Sequence, residues 1–378
     1  MKKLLLPLLI SGLLLACNNN QTPSQPENKS EIKTEPQVLK EVIPIQDENK
    51  TETTSKTDCN AISQTLKSIN NESKFDEIES IERQLKECLP TVNNATQLQW
   101  ANDYHKAYER FLGYWEEGQL NDETDGEVFY NIMTALAENK TQNPKELATL
   151  SKKMQYLIEL SQDKKIVPTY LCEGLFEFRH QYQNFADLFT PHLPKDQAIF
   201  INQLAKDNQE IFWCDAGIAI SLRELIERTL FWQDFIKKYP DSQFIDDAKY
   251  LYQFYEYYLF FGSENTHWLE DDKTAFIGHT EEGDDKTVEE HFIDLAKQDN
   301  ALGKKAQAYL EFVATPVDER EQKYPLKPEE YPSEEYEEWR NIELARLQLH
   351  KALDILGNPT DGSADCFSAP MCLERQYD

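Results

Sequence analysis

The densest group of side chains that could do chemistry lies between residues 267 and 291. Carboxylates and imidazoles in such a group can bind a divalent metal ion, or act as general acid and base. The candidate ligands of a metal site are His279, Glu281, Glu282, Asp284, Asp285 and His291. Their spacing fits no EF-hand, because the glycine and the closing glutamate are missing from the positions that such a loop requires. Acidic segments are usually solvated surface, so the sequence favours a surface loop over a metal site.

Common catalytic motifs are absent from the sequence. There is no His-Glu-x-x-His pair for zinc, no Cys-x-x-Cys redox pair and no Gly-x-Ser-x-Gly nucleophile motif. Gly113 and Gly118 have the spacing of a phosphate-binding loop, but Gln119-Leu120 follows where that loop needs Lys and Ser or Thr. The sequence therefore predicts no catalytic residue and no cofactor, and it favours a non-enzymatic protein.

The N-terminus carries a short export signal that ends in a cysteine. Two lysines are followed by an apolar stretch that is too short to span a bilayer. Its end, Leu14-Leu15-Ala16-Cys17, resembles the lipobox of bacterial lipoproteins. The resemblance implies that residues 1–16 are a signal peptide and that Cys17 carries acyl chains such as palmitate, which anchor the protein to a membrane. Asn18, in place of the Asp that favours the inner membrane, implies the outer membrane, facing either the periplasm or the surface.

The remaining chain divides into a tether and a domain. Residues 17–56 are polar and rich in proline, without aromatic side chains, and are predicted to be a disordered tether that begins at the lipidated cysteine. Residues 57–378 contain all six tryptophans and are predicted to fold, either as one extended domain or as two subdomains, 57–218 and 219–378. The formal net charge is −29, which argues against nucleic acid as a partner.

Six cysteines follow Cys17, and an even number in an exported protein indicates disulfides. In a helical hairpin that turns near residue 72, Cys59 and Cys88 lie at about the same height, so they are predicted to pair. An aromatic run from Cys172 to Phe189 and a second run from Lys195 to Cys214 are predicted as two helices of similar length, which would pair Cys172 with Cys214. Cys366 and Cys372 then remain for a terminal loop.

Helical periodicity dominates the domain. Ser221 with Glu224, and Thr287 with Glu290, have the spacing of capping boxes. The segment from Phe235 to Ser242 ends one helix and begins the next, and it resembles the joint between tetratricopeptide repeats in periplasmic lipoproteins, over about residues 222–262. We therefore predict an all-α fold of antiparallel helical hairpins, stacked as an irregular helical-repeat, α-solenoid-like domain.

One predicted helix, between residues 250 and 261, is apolar on nearly every face. Such a helix is usually buried between its neighbours. Alternatively, exposed rings could anchor a partner or stack on sugars, and the candidates for this role are Tyr250, Tyr257 and Phe261. Burial is the favoured interpretation.

Together these features predict a membrane-anchored lipoprotein of the cell envelope with a non-enzymatic helical scaffold. The scaffold is expected to bind another envelope or secreted protein. The alternatives are a cell-wall enzyme with an acidic site, and a module that binds glycans or divalent ions.

Overall fold

The computed structural model describes residues 58–113, 126–137, 140, 143–271, 273–278, 286–332, 337–355 and 357. Within these ranges the chain is mostly helical, which confirms the predicted helical class. The predicted signal peptide, Cys17 and the tether lie outside the described residues. So do the candidate ligands at positions 279–285 and the pair Cys366 and Cys372.

The first helices form where apolar residues recur with the helical period. Six helices lie before the first strand: α1 (Ile62–Ser68), α2 (Phe75–Cys88), α3 (Asn94–Leu112), α4 (Gly126–Ala137), α5 (Pro144–Leu147) and α6 (Lys152–Gln162). The buried positions of α2 are its apolar stripe, from Phe75 to Cys88. The Asn93 side chain caps α3, and Gly113 ends it in a left-handed conformation with φ of 88°. A disulfide joins Cys59, just before α1, to Cys88 at the end of α2, with the Cα atoms 5.7 Å apart.

A β-hairpin follows, where the sequence predicted a helix. Strand β1 (Ile166–Cys172) pairs antiparallel with β2 (Leu175–His180), and only α7 (Tyr182–Phe189) is helical in this run. The predicted helix from Cys172 is therefore wrong over its first part. In β2, Phe176, Phe178 and His180 are buried while the residues between them are more exposed, which is the period of a strand. The turn itself is incompatible with a helix, because Cys172, Glu173 and Gly174 all have positive φ.

The helix predicted from Lys195 to Cys214 is also shorter than expected. Helix α8 (Lys195–Asp207) ends well before Cys214, which lies in a two-residue strand, β3 (Trp213–Cys214), paired with β4 (Gly217–Ile218). Cys172 and Cys214 are nevertheless bonded, with the Cα atoms 5.3 Å apart. The pairing is the predicted one, but the bond joins the turns of two β-hairpins rather than the ends of two helices.

The C-terminal part consists of paired helices. These are α9 (Leu222–Lys238), α10 (Ile245–Phe261), α11 (Val288–Ala296), α12 (Ala301–Ala314), α13 (Val317–Lys323) and α14 (Glu337–Leu353). Helix α9 packs on α10, α11 on α12, and α14 on α12. The hairpin of α9 and α10 spans the segment that resembles a tetratricopeptide joint, and Ala248 is fully buried where α10 meets its neighbours.

Candidate functional site

A groove opens between these C-terminal helices, and we call it the hairpin groove. Its volume is about 550 Å³, within the range of ligand-binding pockets. Helix α9 contributes Gln233 and Ile236 to its lining, and α10 contributes Tyr252, Gln253 and Glu256. Across from them lie Ala301 and Lys305 of α12, and Asp354 and Ile355 directly after α14. The lining is thus assembled from segments more than 100 residues apart.

A fixed polar network forms one wall of the hairpin groove. The Tyr252 hydroxyl donates to one oxygen of Glu256, and the Lys305 ammonium lies 2.8 Å from the other oxygen. Gln233 donates to the Tyr252 hydroxyl at 3.4 Å. The Glu256 side chain is only 6% exposed, so the charge of Lys305 offsets the loss of its hydration. Burial, together with the neighbouring Glu256 carboxylate, raises the pKa of Tyr252, which keeps its phenol protonated as the donor.

Other groups in the hairpin groove have unused bonding capacity. The Gln253 side chain is exposed and makes no hydrogen bond to any described residue. The Asp354 carboxylate, also exposed, forms no ion pair within the described part of the chain. Ile236 is half-buried and Ile355 is buried, with 7% of its surface exposed, and both line the groove. The groove therefore offers a ligand an amide, a carboxylate, the exposed ammonium of Lys249 and two aliphatic side chains.

A second cluster of charges is buried behind α9. Arg228 lies 3.6 Å from Asp207 of α8 and donates to Glu224 at 2.9 Å and to the Tyr255 hydroxyl of α10 at 3.4 Å. Glu224, predicted as part of a capping box with Ser221, gives its carboxylate to Arg228, while Ser221 still accepts from the Glu224 amide. Burial raises the pKa of Asp207 to about 6, although Arg228 opposes the shift. The cluster joins three helices and leaves no opening for a substrate at Arg228, which is almost fully buried.

A buried histidine stands out in the N-terminal part. His180 is 4% exposed, and neither ring nitrogen has a hydrogen-bond partner among the described residues. Its ring stacks on Tyr108 with the centroids 3.7 Å apart and meets Tyr104 edge-on. Burial lowers the pKa of His180 well below its usual value, and the nearby His105 lowers it further. This histidine belongs to the core, since it is buried and its ring packs against aromatic side chains.

Of the metal-binding and partner-binding candidates predicted from the sequence, the structure describes only His291, Tyr250, Tyr257 and Phe261. His291 is buried on α11. Within the described ranges, no three His, Cys, Asp or Glu side chains form a group that could hold a metal ion. Tyr257 is 6% exposed and stacks on Phe261, which in turn stacks on His350. Tyr250 is half-buried on the same helix. The sequence did not single out Tyr252, Gln233, Lys305 or Asp354, which line the groove, because no local spacing links them.

Across the described ranges, no helix combines the length and the apolar composition that a membrane span requires. No protein-family model, no curated protein and no solved structure matches the chain.

Proposed function

We propose that this protein is a lipid-anchored lipoprotein of the cell envelope whose helical domain binds a segment of another envelope or secreted protein in the hairpin groove. In this proposal residues 1–16 direct export, the lipid on Cys17 holds the protein at the outer membrane, and residues 17–56 give the domain reach. The helical hairpins act as a stacked, α-solenoid-like scaffold without enzymatic activity.

The observation that carries the proposal is the lining of the hairpin groove. A peptide backbone offers alternating donors and acceptors, and a glutamine side chain such as Gln253 can pair with both. The aliphatic side chains of Ile236 and Ile355 provide the apolar contacts that peptide side chains need. The network of Tyr252, Glu256 and Lys305 holds one wall in place before binding, which reduces the ordering that association requires.

Site-directed photo-crosslinking in intact cells tests the groove. A photoreactive residue replaces Gln253 in the groove or, as the matched control, Gln307, an exposed glutamine of α12 outside the lining. We expect one protein adduct of defined mass from position 253 and none from position 307. Adding Ala301→Trp, which fills the groove from its rim, should abolish the adduct, whereas Gln307→Trp should leave it.

The same experiment can contradict the proposal. Equal adducts from both positions, or an adduct that persists with Ala301→Trp at an unchanged melting temperature, would place the contact elsewhere. The anchor is tested separately, since Cys17→Ser should abolish incorporation of labelled fatty acid and release the protein into the soluble fraction. Undiminished labelling of that variant would exclude Cys17 as the anchor.

A further inference from the structure

The charged residues that line the hairpin groove differ in whether they have an ion-pair partner. Lys249 lies 3.1 Å from Asp246, and Lys305 lies 2.8 Å from Glu256, so each lysine of the lining already has a carboxylate partner. Asp354 alone among the charged lining residues has no partner within the described residues. Within the described residues, the groove therefore presents one negative charge without an ion-pair partner.

The position of Asp354 strengthens this charge. It directly follows α14, and the C-terminal end of a helix carries a partial negative charge from its free carbonyl groups. The whole chain contributes in the same direction, because it has 68 acidic and 39 basic residues. A field of this sign attracts cationic segments and repels acidic ones before contact.

The geometry points to the kind of segment that the groove accepts. We infer that it is an extended peptide with a Lys or Arg side chain that pairs with Asp354, next to an aliphatic residue that packs on Ile236 and Ile355. The inference rests on the proposed function and adds the sign of charge that the groove selects. The buried Glu256 offsets the charge of Lys305, and the exposed Lys249 forms an ion pair with Asp246.

A binding assay with defined peptides tests this selection. The probe is a positional-scanning library of fluorescent heptapeptides, acetylated and amidated so that terminal charges play no part, and the protein is the full chain purified in detergent. At one position of the heptapeptide, we expect peptides with Lys or Arg to bind about two- to fivefold more tightly than the peptide with uncharged norleucine. This is the range for an exposed ion pair. Asp354→Asn should remove this preference and leave the binding of the norleucine peptide unchanged. Asp246→Asn, which frees Lys249 instead, is the matched control and should not remove it.

The outcomes separate this inference from the proposed function. Peptides that bind without a preference for charge, or with a preference for Glu, would overturn the inference while the groove remains a peptide site. A preference that persists in Asp354→Asn would also overturn it. If no peptide binds and photo-crosslinking from position 253 gives no adduct, the proposed function itself is wrong.

Discussion

The pH dependence of stability should depend strongly on His180. Its pKa in the unfolded chain is the ordinary 6.5, whereas burial lowers it well below that value in the folded protein. Below pH 6.5 the unfolded state therefore binds a proton that the folded state does not, and the free energy of unfolding falls as the pH falls. The loss continues until the pH reaches the folded-state pKa.

The size of this effect follows from proton linkage. Between pH 7.5 and pH 5.5, protonation of a free imidazole with a pKa of 6.5 favours the unfolded state by about 1.4 kcal/mol relative to a folded imidazole that stays neutral. His180→Phe keeps a ring on the face of Tyr108 and removes the two unpaired nitrogens. We expect this variant to lose about 1.4 kcal/mol less than the natural protein over the same interval.

Urea unfolding followed by tryptophan fluorescence at the two pH values measures the difference. The rings of Tyr104, Tyr108 and Tyr182 contact His180, His105 lies near it, and Glu82 accepts a hydrogen bond from Tyr104. They remain in both proteins, so the comparison isolates the imidazole. His192→Phe, outside this cluster, controls for the loss of one histidine. An unchanged pH dependence in His180→Phe would refute the argument, because it would mean that the imidazole is hydrated or hydrogen-bonded.

Three other predictions concern the covalent and packing framework and the acidic segment. Non-reducing peptide mapping should recover the bond between Cys172 and Cys214, and replacing both with Ala should lower the free energy of unfolding by about 4 kcal/mol, the chain-entropy value for a separation of 42 residues; a loss below 1 kcal/mol would contradict this. Gly303→Ala should cost about 1–3 kcal/mol in urea, because its Cβ would lie 2.1 Å from a backbone oxygen, whereas Gly278→Ala meets no atom within 4 Å and should be nearly neutral. Millimolar calcium, magnesium or zinc should give no melting shift that depends on the four carboxylates at 281–285, and a saturable shift that their amide variants abolish would establish an ion site.

The helical part of the fold was predictable because its signal is local. The apolar stripe from Phe75 to Cys88 repeats every three or four residues, and the same residues are buried in α2. The stretch around Tyr255 was predicted to be core because it is apolar on nearly every face, and Tyr255 is fully buried. In both cases the sequence pattern within a single helix predicts which of its residues are buried.

The prediction failed where a short strand signal was interpreted as part of a longer aromatic helix. The alternation of Phe176, Phe178 and His180 with charged residues has period two, but it covers only six residues. Gly174 before it marks the turn. The bond between Cys172 and Cys214 was predicted from two helical arms that the structure does not have, and the two cysteines meet instead at the turns of two β-hairpins.

The hairpin groove could not be predicted, and the reason also explains how its shape is maintained. Its lining residues come from four segments, so only the packing of α9, α10, α12 and the end of α14 brings them together. That packing is fixed partly by Arg228, which reaches from α9 to Asp207 of α8 and to Tyr255 of α10. Tyr255 precedes Glu256, whose carboxylate anchors Tyr252 and Lys305 in the groove wall. The buried ion pair of Arg228 and Asp207 thus lies one residue from the wall network through Tyr255, and it links the two helices of the groove to α8. Because removing one member of such a cluster leaves a buried charge unpaired, separating the helices costs free energy, and the groove keeps its shape.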